Sequence, residues 1–565
     1  MTRRRCFVVS LVFLSLWLAR PSVSSAAEDD AKTEKQMMGD ILQYISGGWG
    51  ALTRSLDKCE TVSDPKAPEK SVLYLPAGFA IPAAVQELQK NCPVRVEHLP
   101  VVIEKLGGIE VGKIRQHGLL YLEHPYVVPG GMFNEMYGWD SYFILRGLLR
   151  EGKLELARGI VENFFFEMDH YGAVLNANRT YFLTRSQPPF LTSMILAVYE
   201  AGKSKGQEDL AWLAKAYRYA AKDYELWTRE PHLAGETGLS RYYDFGDGPA
   251  PELSESALSY YRYVVRYFLL HPESAQAYLA QTGEKQSPSS LSEPIFSVYL
   301  CAPGEESSPA KNCERVENVG LTREFYKGDR SMRESGFDIS FRFEPFSAGT
   351  HHYAAVCLNS LLYKSEEDLS RISALLGKEP ESRQWRQRAL ERGTKMQKYL
   401  WDETRGPFFD YNFKTSARST YTYATTLYPL WAGLASQKQA QAIVRNLKLF
   451  EQPGGLAMSQ QETKVQWDYP YGWAPIQLIA VEGLRRYGYE AEANRIAFNF
   501  LSMVLQNFRR DKTIREKYNV VTRSSETQVE AGYKENVIGF GWTNGVFLEL
   551  LHGLPRELAA RLAAE

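Results

Sequence analysis

From Ser141 to the end of the chain, apolar residues recur at intervals of three and four over long segments, while strand-like alternation is rare. That period predicts helices over 141–150, 153–170, 189–202, 208–228, 255–270, 351–375, 380–400, 421–434, 437–448, 473–486, 489–508 and 543–563. The chemically unusual residues are confined to the loops that join them. About a dozen helices in pairs, with the unusual chemistry in the joints, suggests an all-α toroid whose loops line one mouth. The 565 residues alone would allow roughly two to four average domains, a weak constraint because large single-domain folds exist.

Ahead of the helices, residues 27–115 begin polar and charged, then carry Trp49-Gly50-Ala51-Leu52-Thr53-Arg54 and short apolar pieces broken by proline and glycine. This is the makeup of an N-terminal arm wrapped around a larger body, residues 116–565. Residues 1–26 read as a signal peptide: Arg3-Arg4-Arg5, an apolar stretch from Phe7 to Ala19 too short to span a bilayer comfortably, then Ser24-Ser25-Ala26 with a cut after Ala26. An uncleaved anchor is the alternative. The expectation is an exported protein, periplasmic or secreted, with no membrane partner after cleavage, since no later segment is long and apolar enough to cross a membrane.

Five cysteines follow the signal. In an oxidising compartment Cys301/Cys313 and Cys59/Cys92 can each bridge, whereas Cys357, in an apolar helical run, reads as a buried free thiol. There is no CxxC and no His/Cys cluster with ligand spacing, and neither His351-His352 nor His232 has ligand-like company, so no metal is expected. A formal charge of -1, with no basic run beyond Arg3-Arg4-Arg5, excludes nucleic acid and anionic membrane surfaces as partners. Aromatic residues make up 13% of the chain, which suits a carbohydrate cleft and equally the packing of a wide helical barrel.

The densest chemistry lies between Pro129 and Phe143, where three glycines, five aromatics, an amide and two carboxylic acids share fifteen positions just before a predicted helix. Aromatic faces and paired hydrogen-bonding groups match a pyranose, with its apolar C–H faces and its equator of hydroxyls. A buried aromatic loop that fills a core reads equally well from composition. Residues 172–190 offer Asn176, Asn178, Arg179, Arg185 and Gln187, planar groups suited to vicinal hydroxyls or to satisfying helix ends. Residues 239–255 are acidic and aromatic, and residues 287–316, rich in Ser, Pro and Glu, read as a surface insertion.

Two acids stand in unusual settings. Asp338 lies among aromatics in Arg333-Glu334-Ser335-Gly336-Phe337-Asp338-Ile339-Ser340-Phe341-Arg342, surroundings that raise a carboxyl pKa while the flanking arginines lower it. Glu516 lies in Arg515-Glu516-Lys517-Tyr518-Asn519, ahead of a long loop that ends in Gly539-Phe540-Gly541-Trp542-Thr543-Asn544-Gly545. Taken singly, each acid reads more readily as a salt-bridged structural carboxylate.

Together these stretches resemble the trehalases, inverting glycosidases with an (α/α)6 barrel. Pro129-Gly130-Gly131-Met132-Phe133 through Trp139-Asp140-Ser141-Tyr142-Phe143 resembles the first signature of that family, and Gln466-Trp467-Asp468-Tyr469-Pro470-Tyr471-Gly472-Trp473-Ala474-Pro475 the second. Asn176 to Phe190, Glu334 to Asp338, Glu516-Lys517-Tyr518 and Gly539 to Gly545 match in order, so that the likeness covers roughly residues 45–550. The resemblance implies hydrolysis of α,α-trehalose, with Asp338 as general acid and Glu516 as general base. It implies sugar contacts from Trp139, Asp140, Asn176, Arg185, Ser186, Gln187, Glu252 and Gly336, and pocket walls from Phe133 and Trp467. Two carboxylates and water suffice for this chemistry, so no cofactor is implied, and the one partner is a small disaccharide.

The sequence departs from the family pattern at four places. Met132 stands where arginine is usual, Ala250 where some members carry a substrate-facing arginine, Asn519 where aspartate is usual, and Gly532 where a glutamate precedes tyrosine. Lost polar contacts leave two alternatives beside trehalose hydrolysis: an inverting hydrolase of a related α-glucoside, or a catalytically weak sugar-binding protein of the same fold.

Overall fold

The computed structural model describes residues 24–64, 71–252, 255–275, 277–281, 294–301 and 313–564. Six helices, Asp140–Arg150, Leu191–Ser204, Val356–Leu375, Tyr428–Ala432, Ala474–Arg486 and Gly541–Gly553, pack each against the next in that order, and the last packs back on the first. This closed inner ring is backed by an outer layer. Leu154–His170 packs on the first two inner helices, Leu210–Trp227 on the second and third, Glu379–Tyr399 on the third, and Glu490–Asp511 on the fifth and sixth. The architecture is an (α/α)6 toroid, as the helical period predicts.

Closure of the ring depends on two glycines. Where Asp140–Arg150 meets Gly541–Gly553, a Cβ on Gly545 would stand 2.1 Å from the Phe143 carbonyl oxygen, and one on Gly147 would stand 2.6 Å from the Gly545 Cα. Only bare backbones fit at that distance. Trp49, 1% exposed, covers the same contact from outside.

The N-terminal helix Ser24–Leu52 packs on Glu490–Asp511, Gly541–Gly553 and the C-terminal helix Arg556–Ala563. It runs across position 26, where the sequence predicts a cut, and residues 1–23 of the expected signal peptide lie outside the described residues. Behind it, Ser71–Leu75 forms a small parallel sheet with Val94–His98 and Leu119–Leu120, tied by the Cys59–Cys92 disulfide. Among the described residues every sheet has two or three strands, and no central sheet interrupts the toroid.

Several predicted elements are corrected, each for a local reason. The helix expected over 421–434 is a 3-10 turn, Ala424–Leu427, followed by the short Tyr428–Ala432, because Pro429 fixes its first turn and Gly433 ends it at φ 81°. The helix expected over 543–563 breaks at Leu554-Pro555. The insertion expected at 287–316 carries the strands Ile295–Leu300 and Glu314–Leu321, paired antiparallel and joined by the Cys301–Cys313 disulfide; their inward residues Phe296, Val298, Val319 and Leu321 pack with Val264, Val265 and Phe268 of the helix Glu255–Leu270. The helix Arg323–Glu334 is masked because charged residues, Asp329, Arg330, Arg333 and Glu334, are buried beside its apolar Phe325, Tyr326 and Met332. Cys357 is buried and free, as expected.

Candidate active site

The loops that enter the inner helices enclose a cavity of about 690 Å³. Asp140 opens the first inner helix, Gln187 stands just ahead of the second, Trp473 is the last residue before the fifth, and Trp542 lies in the first turn of the sixth; all four line the cavity. Helix N-termini converge here, which makes the site hospitable to partial negative charge.

Of the residues singled out in the sequence, Phe133, Trp139, Asp140, Asn176, Arg185, Gln187, Glu252, Gly336, Asp338, Trp467 and Glu516 all line the cavity. Ser186 does not: its hydroxyl donates to the Val174 carbonyl at 2.6 Å and its N–H to Glu334 Oε1 at 3.3 Å, so it holds the loop from behind. Sequence reasoning passed over Tyr137, Tyr181, Arg333, Gln466, Tyr533 and Trp542, which also face inward. Arg333 was the most accessible of these, because it stands in the same short segment as Asp338.

The walls are aromatic. Trp467 stacks on Trp473 with ring centres 3.8 Å apart and planes 3° from parallel, and Trp139 meets Trp467 at 5.9 Å and Trp542 at 5.7 Å. Gly336, at φ 76°, passes so close under Trp139 that a Cβ would stand 2.8 Å from its ring, and this turn carries the chain into Asp338. The Trp139 N–H donates to Gln187 Oε1 at 2.9 Å, locking the first signature to the amide loop.

One side of the cavity is a lattice of charges. Arg185 Nη2 donates to Glu252 Oε1 at 2.5 Å, Arg333 Nε lies 3.8 Å from the same oxygen, and Arg333 Nη1 donates to the Tyr533 hydroxyl at 3.1 Å. Burial alone would raise the pKa of Glu252, yet Arg185, Arg333 and Arg330 outweigh it and hold the carboxyl down at about 2. The balance at Asp338 goes the other way. Burial pushes its carboxyl up to about 7, against the opposing pull of Arg333 and Arg185. Asp140 is also raised well above the ordinary carboxylate range by burial, with the charges of Glu516 and Asp338 adding to the effect.

Glu516 reaches the cavity from a different element. The following strand, Lys517–Asn519, pairs antiparallel with Tyr471–Trp473, so the second acid is tied by backbone hydrogen bonds to the second signature. Asp338 is fixed to that signature from the other side, where Gln466 Nε2 donates to the Asp338 carbonyl and the Trp467 N–H to the Ile339 carbonyl at 3.0 Å. Two carboxyl groups are thus held from separate loops over one aromatic cavity.

The four departures separate on inspection. Met132, 46% exposed, and Gly532 line the cavity. Ala250 is buried away from it and gives its N–H to Tyr261, while Asn519 accepts the N–H groups of Val521 and Thr522 in a local turn. Glu530 has the Lys464 ammonium at 2.8 Å and the Tyr263 hydroxyl at 3.1 Å. The structure also gives His351 and His352 company that linear spacing concealed, since Glu324 lies within reach of both.

The sequence model of the Trehalase family matches residues 81–555. The chain is 39% identical over 580 residues to a protein of Kluyveromyces lactis named cytosolic neutral trehalase, across 92% of this chain and 72% of that one. It is 35% identical, with the same coverage, to the cytosolic neutral trehalase of Saccharomyces cerevisiae. The solved structure of neutral trehalase Nth1 from Saccharomyces cerevisiae superimposes with a TM-score of 0.73 at 33% identity, covering 95% of this chain and 96% of that one. These relatives overturn the expectation of an exported, secreted protein: they are named cytosolic, whereas the export reading rested on the composition of the first 26 residues alone. Two-thirds and more of such relatives are matched at over 30% identity, and the chain belongs to the trehalase family.

Proposed function

We propose that this trehalase-family glycoside hydrolase cleaves α,α-trehalose into two glucose molecules with inversion at the attacked carbon, Asp338 acting as general acid and Glu516 as general base. The observation that carries the reading is the unlike setting of two acids over one cavity. Burial pushes Asp338 up to about 7, so that it holds a proton near neutrality, while Glu516 receives a hydrogen bond from the Lys517 ammonium at 3.0 Å. Asp338 donates its proton to the glycosidic oxygen as the C–O bond breaks through an oxocarbenium-like state. Glu516 takes a proton from the water that attacks the opposite face.

Trp139, Trp467 and Phe133 present flat faces to the C–H sides of the sugar rings, and Asp140, Asn176, Arg185, Gln187 and Glu252 pair with hydroxyls. Gly336 gives the backbone room beneath Trp139, and Ser186 supports Arg185 and Gln187 from the second layer. Residues 27–115 serve as an arm on the catalytic toroid of residues 116–565. A cavity of about 690 Å³ is in the range for a disaccharide.

The test is to incubate the purified chain with α,α-trehalose and follow the anomers of released glucose by NMR. Equal early amounts of α- and β-glucose are expected, because one ring keeps its configuration while the attacked ring inverts. Two α-glucose products would refute inversion. Silence on trehalose with turnover of another α-glucoside would favour the retuned specificity that Met132 and Gly532, both at the cavity, bring into view.

A further inference from the structure

Away from the cavity, the 3-10 turn Thr350–His352 stacks its two histidine rings with centres 3.9 Å apart, and Glu324, in the first turn of the helix Arg323–Glu334, reaches both. Glu324 Oε1 lies 2.9 Å from His352 Nε2 and 3.4 Å from His351 Nε2, and one ligand atom from each of the three residues lies within 4.8 Å of the others. Metal–ligand bonds of about 2.0–2.2 Å in a tetrahedral site put neighbouring ligand atoms about 3.3 Å apart. The observed separations need little adjustment to meet that value.

A plain ion-pair cluster leaves one feature unexplained. His351 is 5% exposed; its Nδ1 has no hydrogen-bond partner among the described residues, and its Nε2 meets Glu324 Oε1 only at a long 3.4 Å. Buried polar atoms are normally paired at closer range, so a buried ring that meets its carboxylate this loosely leaves room for a cation between them. The group already drawn to the spot is a cation: Lys414 Nζ lies 3.3 Å from Glu324 Oε1 and 3.4 Å from His352 Nε2. Its side chain is 62% exposed and is free to move off into water.

We propose that Glu324, His351 and His352 form a binding site for a zinc-class divalent cation, with a fourth position open to water, that pins the first turn of the helix Arg323–Glu334. Two imidazoles and one carboxylate suit zinc, nickel or copper and not calcium or magnesium, which prefer all-oxygen sets. The other end of the same helix presents Arg333 to the catalytic cavity, about 14 Å along its axis. The cation would therefore be a structural clamp on an element of the site and not a participant in hydrolysis.

The experiment is calorimetric titration of the chelator-treated full chain with Zn²⁺, with Co²⁺ as a spectroscopic probe. One Zn²⁺ per chain, a rise in Tm and the visible bands of four-coordinate Co²⁺ are expected, and His352→Ala, at a partly exposed position, should abolish all three while its far-UV circular dichroism stays unchanged. Lys414→Ala should tighten Zn²⁺ binding about tenfold by removing a competing ammonium. No binding by the parent chain, unchanged stoichiometry in His352→Ala, or no gain in affinity in Lys414→Ala would each overturn the proposal, leaving an ordinary ion-pair cluster or an adventitious ion elsewhere.

Discussion

Lys517 Nζ donates to Glu516 Oε2 at 3.0 Å from a side chain with no solvent exposure, and the same ammonium donates to the carbonyls of Glu535 at 2.9 Å and Tyr533 at 3.4 Å. One buried cation thus orients the proposed base and anchors the loop that brings Gly532 and Tyr533 to the cavity. Lys517→Met keeps the apolar stem and removes these bonds. Turnover of trehalose is expected to fall about 100-fold through misplacement of Glu516, and stability by about 1–3 kcal/mol as buried groups lose their donor. Steady-state kinetics beside denaturant unfolding checks both, and full activity in the variant would refute the orienting role.

Asp338 makes a prediction in pH. In its proposed role as general acid it serves only while protonated, so turnover should decline as pH rises through about 7. The same shift bears on folding. A carboxyl that binds its proton more tightly in the folded state than at its ordinary 3.8 stabilises the protein fully below 3.8 and loses that contribution as pH rises toward about 7. Asp338→Asn removes the titration. The variant should lose about 1,000-fold in kcat, match the parent in stability at pH 4, and exceed it at pH 8 by about 2 kcal/mol, a value halved from full linkage because the carboxyl faces a cavity reached by water. Equal stability at both pH values would mean that Asp338 is not raised.

How far the sequence could be read follows from which residues carry the information. Four inner helices, Asp140–Arg150, Leu191–Ser204, Val356–Leu375 and Ala474–Arg486, were legible because each buries apolar residues against its neighbours, as in Ile144, Leu145 and Leu148 of the first. The fourth and sixth were read too long, across Pro429, Gly433 and Pro555. Arg323–Glu334 was hidden because much of its buried face is ionic, with Arg333, Arg330 and Asp329 paired to Glu252, Asp244 and Tyr260. The hairpin around Cys301 and Cys313 was hidden by its polar exposed positions. At the site, Gln466 and Trp542 were passed over although both stand in stretches that resemble the family, and Arg333 and Tyr533 were passed over because their contact joins positions 200 apart. The trio of Glu324, His351 and His352 was invisible for the same reason.

Met132 and Gly532 should respond oppositely when the family residue is restored. Met132 lies at the cavity, half-exposed, with room for a longer side chain. Met132→Arg is expected to lower KM for trehalose several-fold, about 1 kcal/mol, with little change in stability. Gly532 sits at φ 107°, and a Cβ there would press on Ile339 at 3.3 Å. Gly532→Glu should therefore strain the loop, cost about 1–3 kcal/mol and raise KM. Michaelis constants and melting temperatures of the two variants, measured together, separate a lost contact from a reshaped loop.

The ring closure gives the sharpest structural prediction. Gly545 and Gly147 let the sixth inner helix approach the first until a Cβ on Gly545 would lie 2.1 Å from the Phe143 carbonyl oxygen. That oxygen belongs to a helix that begins with Asp140, so separating the two backbones also moves one wall of the cavity. Alanine at an exposed helical position would stabilise by about 1 kcal/mol relative to glycine. Gly545→Ala should instead destabilise by about 3 kcal/mol or more, since a backbone atom cannot yield as a side chain does. It should also lower kcat at temperatures where the variant remains folded. Gly488→Ala serves as the control for glycine removal alone, because at φ 80° nothing lies within 4 Å of the added Cβ and only the backbone strain remains. A Gly545→Ala variant no less stable than Gly488→Ala would show that the toroid closes through side chains and not through this bare contact.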